Sequence, residues 1–388
     1  MRKILKRILR LFGLEIKKYK ENIDETGFVS LEPDKASRGN VLLAYIIDPF
    51  LLKAGESISN THTHFWESLQ IAQTYLDLGY AVDVISYRNT TFVPSKDYSI
   101  FVAARTNFAK IAKRLNDDCF KVAYLDTAHW LFNNNAAYKR LFAVQQRKRM
   151  TVESNKMVEP NRAIEYADCA IILGNDFTIG TYQYAQKEIY PIHIPTCTLY
   201  PWAEDKDFEN CRKNFLWFGS RGLVHKGLDL ALEAFAEMPD YHLTVCGPVQ
   251  EEKDFEQAFY KELYQTPNIQ TVGWVDVSGP EFLEIAQECV GLVYPSCSEG
   301  QSGAVATCLQ AGLIPVISYE SGFDVDDFGL ILEECSIEKI KDSVQEIANL
   351  SAQELEAMAR KAWQYARENH SRSKYAEEYR RFTTQSAK

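Results

Sequence analysis

The sequence has no surplus of basic residues: 43 Lys and Arg stand against 53 Asp and Glu, a formal net charge of −10. That excludes non-specific nucleic-acid binding, which needs a concentrated basic face to displace counterions. Long apolar runs are missing as well. No stretch reaches the roughly 18 uninterrupted apolar residues of a membrane span, and the first twenty residues lack the apolar core of a signal peptide, so export by that route is not expected. The nine cysteines show no Cys-x-x-Cys spacing. Cys246, Cys289, Cys297 and Cys308 lie in apolar surroundings that suit buried free thiols in a reducing cytosol. Internal repeats and low-complexity tracts are absent. What remains is an ordinary globular composition, 46% apolar and 25% charged, over 388 residues. A chain of that length exceeds one ordinary core and predicts two domains.

The N-terminus places Ile4, Leu5, Ile8, Leu11 and Phe12 at helical spacing beside Arg2, Lys3, Lys6, Arg7 and Arg10. Residues 1–20 therefore read as a basic amphipathic helix. It suits either peripheral contact with an anionic membrane or packing on its own domain. From residue 40 onward, strands alternate with helices. Val41–Ile47, Ala81–Tyr87, Tyr98–Ala103, Lys121–Leu125 and Cys169–Leu173 read as strands, and Thr63–Leu78 as a helix ended by Gly79. A Pro- and charge-rich interval around Pro191–Asn214 marks a boundary, after which the alternation restarts. Phe215–Phe218, His242–Cys246, Ile269–Val272, Val290–Tyr294 and Ile314–Ser318 are the predicted strands. Leu228–Met238, Asp254–Leu263, Glu281–Gln287 and Gly303–Ala311 are the predicted helices, with Ala352–Phe382 helical at the end. The expectation is an α/β chain of two Rossmann-like domains, 40–200 and 212–388, facing a central cleft, with the final helix crossing back to the first domain.

In open α/β sheets, ligands bind beyond the carboxyl ends of the strands, where loops enter helix N-termini that favour anions. Two such loops carry chemistry. Trp217-Phe-Gly219-Ser-Arg221-Gly-Leu-Val-His-Lys226-Gly227 gives a strand, a glycine turn and two cations. Arg221 offers a bidentate phosphate grip and Lys226 a point charge. Tyr294-Pro-Ser-Cys-Ser-Glu299-Gly300-Gln301-Ser302-Gly303 offers close backbone approach for an anion, together with a carboxylate suited to sugar hydroxyls.

Together with Cys246-Gly247-Pro248, Gly273–Val277 and Ala311-Gly-Leu-Ile-Pro315-Val316, these loops resemble the donor site of retaining GT-B glycosyltransferases, most closely glycosyltransferase family 4. The resemblance covers most of Phe215–Ser318. It implies that Arg221 and Lys226 neutralise a nucleotide diphosphate and that Glu299 binds the transferred sugar. The Gly300, Gln301, Ser302 and Gly303 backbone would extend the phosphate cradle, with Gly219 in the turn and Pro248 and Val275 near the base of the nucleotide. The family has a second glutamate eight positions after the first, bonded to ribose. Here that position is Thr307, whose hydroxyl bonds ribose more weakly than a carboxylate.

In the first half the resemblance points to Leu52–Thr63, with Gly55, and to Tyr124-Leu-Asp-Thr-Ala-His129-Trp130. His129 would face the cleft and contact the sugar or acceptor, and His64 would lie on the acceptor side. The implied reaction moves a sugar from a UDP- or GDP-linked donor to a glycan or lipid-linked acceptor, as in polysaccharide biosynthesis. It proceeds with retention, without a metal or other cofactor, in the cytoplasm or at the inner face of the membrane. Two alternatives stand beside it. One is a catalytically degenerate GT-B protein serving as a nucleotide-binding scaffold. The other is a metal-dependent GT-A enzyme using Asp324-Val-Asp326-Asp327.

Overall fold

The computed structural model describes residues 27–53, 56, 58 and 62–386. The basic segment 1–20 and Gly55 lie outside the described residues. Two sheets, each built around its own apolar runs, organise the rest. The first contains β1 (Phe28–Leu31), β2 (Asn40–Tyr45), β3 (Ala81–Ser86), β4 (Ile100–Ala103), β5 (Phe120–Leu125), β6 (Cys169–Leu173) and β7 (Glu188–Ile192), in the order β1-β3-β2-β4-β5-β6-β7. All neighbours are parallel except the β1–β3 pair. The second contains β8 (Asn214–Phe218), β9 (His242–Cys246), β10 (Ile269–Gly273), β11 (Gly291–Tyr294), β12 (Ile314–Ser318) and β13 (Leu330–Leu332), in the order β10-β9-β8-β11-β12-β13, parallel throughout. Central strands such as β11 and β12 are buried along their whole length, as sheets covered by helices on both faces require.

Strand order reverses between β2 and β4 in the first sheet and between β8 and β11 in the second. At each reversal the loops leaving the two strands diverge to opposite faces and open a crevice. The loops after β8 and β11 are the two that carry Lys226 and Glu299.

The principal helices are α1 (His64–Asp77), α2 (Trp130–Lys148), α3 (Leu228–Ala236), α4 (Gly303–Gln310), α5 (Ile337–Ala348), α6 (Ala352–Asn369) and α7 (Arg372–Ser386). The reading of Ala352–Phe382 as one helix is corrected to two. The chain breaks at His370, whose carbonyl accepts from the amide and hydroxyl of Thr196 and whose Nδ1 lies 2.9 Å from the Ile194 carbonyl. Helix α7 then packs on the first lobe: Tyr375 meets the Tyr124 hydroxyl at 2.9 Å and the Trp66 ring edge-on, and Arg380 pairs with Asp77.

The first sheet also begins earlier than residue 40. Strand β1 is a four-residue antiparallel edge, too short to show alternation in the sequence. Its place is set by Asp83 on β3, which is buried and accepts from Ser30 and Tyr98 and pairs with Lys96 at 2.9 Å. Strand β7 carries Pro191, which an edge strand tolerates. Strand β13 has only three residues. The helix expected over Asp254–Leu263 is two shorter ones, Lys253–Ala258 and Tyr260–Gln265. All nine cysteines are free thiols. No described helix is long and apolar enough to cross a membrane.

Tyr379 on α7 is wholly buried against Tyr75 and Tyr375. Tyr379→Ala should lower unfolding stability by about 3 kcal/mol, the cost of emptying a large aromatic site. Denaturant titration checks this, and a loss under about 1 kcal/mol would mean that α7 contributes little to the first lobe.

Candidate active site in the cleft between the lobes

The site forms at the switch point of the second sheet, where the loops after β5 and β6 of the first close onto it. Lys226 leaves the β8 loop and is 4% exposed. Its ammonium donates to Glu299 Oε1 at 2.6 Å and to the Tyr294 hydroxyl at 2.7 Å. Tyr294 donates to the same Glu299 oxygen at 3.0 Å, and Ser296 does so at 3.4 Å. Glu299 is thus an acceptor for three side chains. Burial alone would raise its pKa. The charges of Lys226, Lys156 and His225 and the bond from Lys226 outweigh that, so the carboxyl stays well below the usual carboxylate range. The same pairing lifts Lys226 above the ordinary lysine value despite burial. Each charge therefore favours the other.

The two lobes close directly onto this pair. The Ala128 amide donates to the Glu299 carbonyl at 3.1 Å, and Thr178 Oγ1 to the Gly300 carbonyl at 3.2 Å. A Cβ on Gly300 would come within 2.6 Å of the Asp126 carbonyl oxygen and 2.8 Å of that of Leu173. Glycine is needed there because the two backbones touch. Farther out, Arg140 donates to the Pro295 carbonyl at 3.1 Å, Arg147 pairs with Asp229 at 2.7 Å and Lys148 with Glu262 at 2.6 Å, all from α2 to the second lobe.

Facing Glu299 from the first lobe is a second charged cluster. Asp126, directly after β5, is clamped by Arg105 through two bonds of 2.8 and 2.6 Å. Burial opposes its charge, but Arg105 and His64 hold its pKa down. Arg105 follows β4 at that sheet's switch point and has a φ of 61°, in the left-handed region that costs a non-glycine residue of order 1–3 kcal/mol and tends to mark functional sites. His64 Nδ1 lies 2.7 Å from Glu67 and its Nε2 lies 3.8 Å from Asp126. Burial favours the neutral His64 ring, yet Glu67 and Asp126 win and its pKa is raised. The His62 ring packs at a tilt against His64, with centroids 4.2 Å apart, and its pKa is lowered by the charge of His64 and by burial.

The residues expected at the site are not all drawn to the Lys226–Glu299 pair. Arg221 is 69% exposed at the side chain and pairs with Glu251 at the rim, so the structure does not bring it beside Lys226. A cation of that exposure is better solvated outside than in the cleft. His129 does not face the charged pair. It caps α2, its Nδ1 accepting from the Leu131 amide at 3.4 Å, and its ring packs on Tyr182 and Tyr184 with Nε2 3.2 Å from the Tyr184 hydroxyl. Burial lowers its pKa. Asp126, three residues earlier, holds the position that faces the cleft.

The Ser302 amide already donates to the Ser321 carbonyl at 3.0 Å, and the Ser302 hydroxyl caps α4. That amide is therefore not free for a phosphate. Gln301 braces the backbone instead, accepting from the Ile194 amide at 2.7 Å. The Thr307 hydroxyl donates to the Gly303 carbonyl one turn back at 2.8 Å, so its proton is spent within the helix. Val275 is a core residue at 2% exposure. Pro248 follows Gly247, which passes so close to the Gly219 carbonyl that a Cβ would lie 2.7 Å from it. In the Asp324–Asp327 loop, Asp324 accepts from Asn175 at 3.4 Å and Asp327 pairs with Lys361. Among the described residues, no group of three or more His, Cys, Asp or Glu is arranged to hold a metal ion.

Arg105, Asp126, Glu67 and Lys156 were not singled out from the sequence. Arg105 and Asp126 each sit just past a strand's carboxyl end, which is a usable signal. Lys156 lies in irregular chain and leaves none.

Residues 203–368 match the family described as glycosyl transferases group 1. Solved structures share the whole fold at low identity. Sucrose-phosphate synthase from Thermosynechococcus elongatus aligns with a TM-score of 0.64 and 13% identity, over 90% of this chain and 99% of that one. An Anabaena protein, HepE, solved with UDP-glucose, aligns with a TM-score of 0.53 and 12% identity over 89% and 100%. WaaG, a glycosyltransferase involved in lipopolysaccharide biosynthesis, aligns with 0.51 and 15% over 88% and 98%. No curated protein sequence matches the chain. Residues 203–368 thus form a glycosyl transferases group 1 domain, within a two-lobed chain that has the GT-B fold of these solved structures.

Proposed function

We propose that the enzyme transfers a sugar from a nucleoside-diphosphate sugar to a glycan or lipid-linked acceptor, with retention at the anomeric carbon and without a metal. The observation that carries this reading is the buried Lys226–Glu299 pair at the switch point of the second sheet, closed over by the first lobe. Breaking the bond between the anomeric carbon and the diphosphate builds negative charge on the leaving oxygen. A preorganised ammonium in a closed cleft stabilises that charge without waiting for solvent to reorganise. Glu299, ionised and fixed by three donors, is suited to accept hydrogen bonds from sugar hydroxyls.

Asp126 is a carboxylate candidate on the opposite lobe, but its oxygens are clamped by Arg105. Acting as a nucleophile would require giving up that clamp, which favours a front-face route in which the leaving phosphate assists deprotonation of the acceptor. His64 and Asp126 then line the acceptor side. The acceptor class rests on the basic pattern of residues 1–20, which suits peripheral attachment to the inner face of an anionic membrane. Placement in polysaccharide biosynthesis, and membership of family 4 in particular, belong to the same proposal.

Three outcomes are expected. Titration with UDP and GDP should show binding of one of them, and the matching donor sugar should turn over in the presence of EDTA with an α- or β-configuration preserved by NMR; inversion or strict metal dependence would overturn the mechanism. Lys226→Met should reduce turnover by about 100-fold or more and lower stability by about 3 kcal/mol, because it strands Glu299. Adding Glu299→Gln should recover stability but not turnover, and recovery of both would show the pair to be structural. Deleting residues 1–20 should weaken binding to anionic liposomes in a salt-sensitive way, whereas unchanged partitioning would remove the membrane contact.

A further inference from the structure

Resting on the donor-site reading above, one feature of the cleft remains unbalanced. Lys226, Lys156 and Arg105 are three cations, and the carboxylates that face them are Glu299 and Asp126. His64 and Glu67 form their own pair. His62 and His225 are held toward their neutral forms, His225 with a pKa pushed down to about 4 by burial. The surplus charge belongs to Lys156. Among the described residues its ammonium has no carboxylate within 4 Å, while Arg105 is clamped to Asp126 and Lys226 to Glu299.

Lys156 is also deliberately placed. Its carbonyl accepts from Asn133 Nδ2 at 3.1 Å, and Asn134 bonds Val158 in both directions at 2.9 Å, so the Asn-rich turn of α2 holds this stretch of irregular chain. Just before it, the Glu153 amide donates to Asp254 of the other lobe at 2.5 Å. The stem of Lys156 then lies across Gly222, in the same loop as Lys226. A Cβ on Gly222 would overlap the Lys156 Cγ, and the φ of 90° at Gly222 suits glycine alone. Glu252 fixes that loop by accepting from the Gly222 amide at 2.5 Å and from the Leu223 amide at 3.3 Å.

We propose that Lys156 is the second cation of the donor site: carried by the N-terminal lobe, it reaches over Gly222 to contact the nucleotide's diphosphate beside Lys226. Neutralisation of the leaving group is then completed only when the lobes are closed, and the exposed Arg221 is not needed for it. The charge of Lys226 and burial push the Lys156 pKa down to about 8, as a second buried cation beside the first requires. The groups facing it are Lys226, Glu299 and His225 from the second lobe and Arg105, Asp126 and His62 from the first. A bound diphosphate favours the protonated ammonium, so affinity should fall as pH rises through about 8, where free Lys156 loses its proton.

The test is calorimetric titration of the full chain with UDP, GDP and ADP, and with the monophosphate of whichever binds, for wild type, Lys156→Met, Lys156→Arg, Gly222→Ala and Lys226→Met. Lys156→Met keeps the stem and should weaken the diphosphate by about tenfold or more while leaving the monophosphate nearly unaffected. Lys156→Arg should bind like wild type at pH 7 and lose the decline between pH 7 and 9. Gly222→Ala, which displaces the stem without removing the charge, should follow Lys156→Met and keeps the question open to measurement if that variant fails to fold. If wild type binds a diphosphate, Lys226→Met weakens it and Lys156→Met does not, the inference is overturned while the donor site stands. If wild type binds no nucleotide, the donor site and the inference fall together.

Discussion

The buried pair of Lys226 and Glu299 constrains everything around it. Two charges taken out of water carry a desolvation penalty of several kcal/mol each, and they persist only where geometry and further hydrogen bonds offset it. Tyr294 and Ser296 supply those bonds from the same strand and loop that deliver Glu299. The strand order sets β8 beside β11 and so puts their loops side by side. The topology of the second sheet and the chemistry of the site are therefore one arrangement.

The first lobe answers with a matching layout. The adjacent strands β4 and β5 bring Arg105 beside Asp126, and Asp126 sits within a backbone contact of Gly300. Each lobe contributes a clamped ion pair, and Lys156 stands between them. Helix α2 and its partners on the second lobe, with Arg147 on Asp229 and Lys148 on Glu262, fix how closely the two faces approach. The chain also crosses between lobes at its end: α7 docks Tyr375, Tyr379 and Phe382 in the core of the first lobe. Charges in a cleft interact strongly only when water is excluded, so the lobe contacts and the electrostatics of the site are coupled.

Much of this was legible in the residues themselves. The strands His242–Cys246 and Ile314–Ser318, the loop from Gly219 to Lys226 and the loop from Glu299 to Gly303 follow from apolar runs punctuated by glycine. Those local patterns survive because buried parallel strands must be apolar and tight turns need glycine. The short edge strands β1 and β13 could not be read, since three or four half-exposed residues show no period. The proline in β7 masked a strand whose edge position made that proline harmless.

The sequence by itself determined the two-lobed α/β architecture and the presence of a cation and a carboxylate on neighbouring loops of the second lobe, because periodicity and turn chemistry act over a few residues. Only the tertiary structure decided which of those groups share a pocket. Arg221 was drawn to Glu251 at the rim, His129 to the cap of α2 and the Ser302 amide to Ser321, while Arg105, Asp126 and Lys156 came in from parts of the chain up to about two hundred residues away from Glu299. Such choices depend on burial and on the nearest available partner in space, neither of which is written in the spacing of residues along the chain.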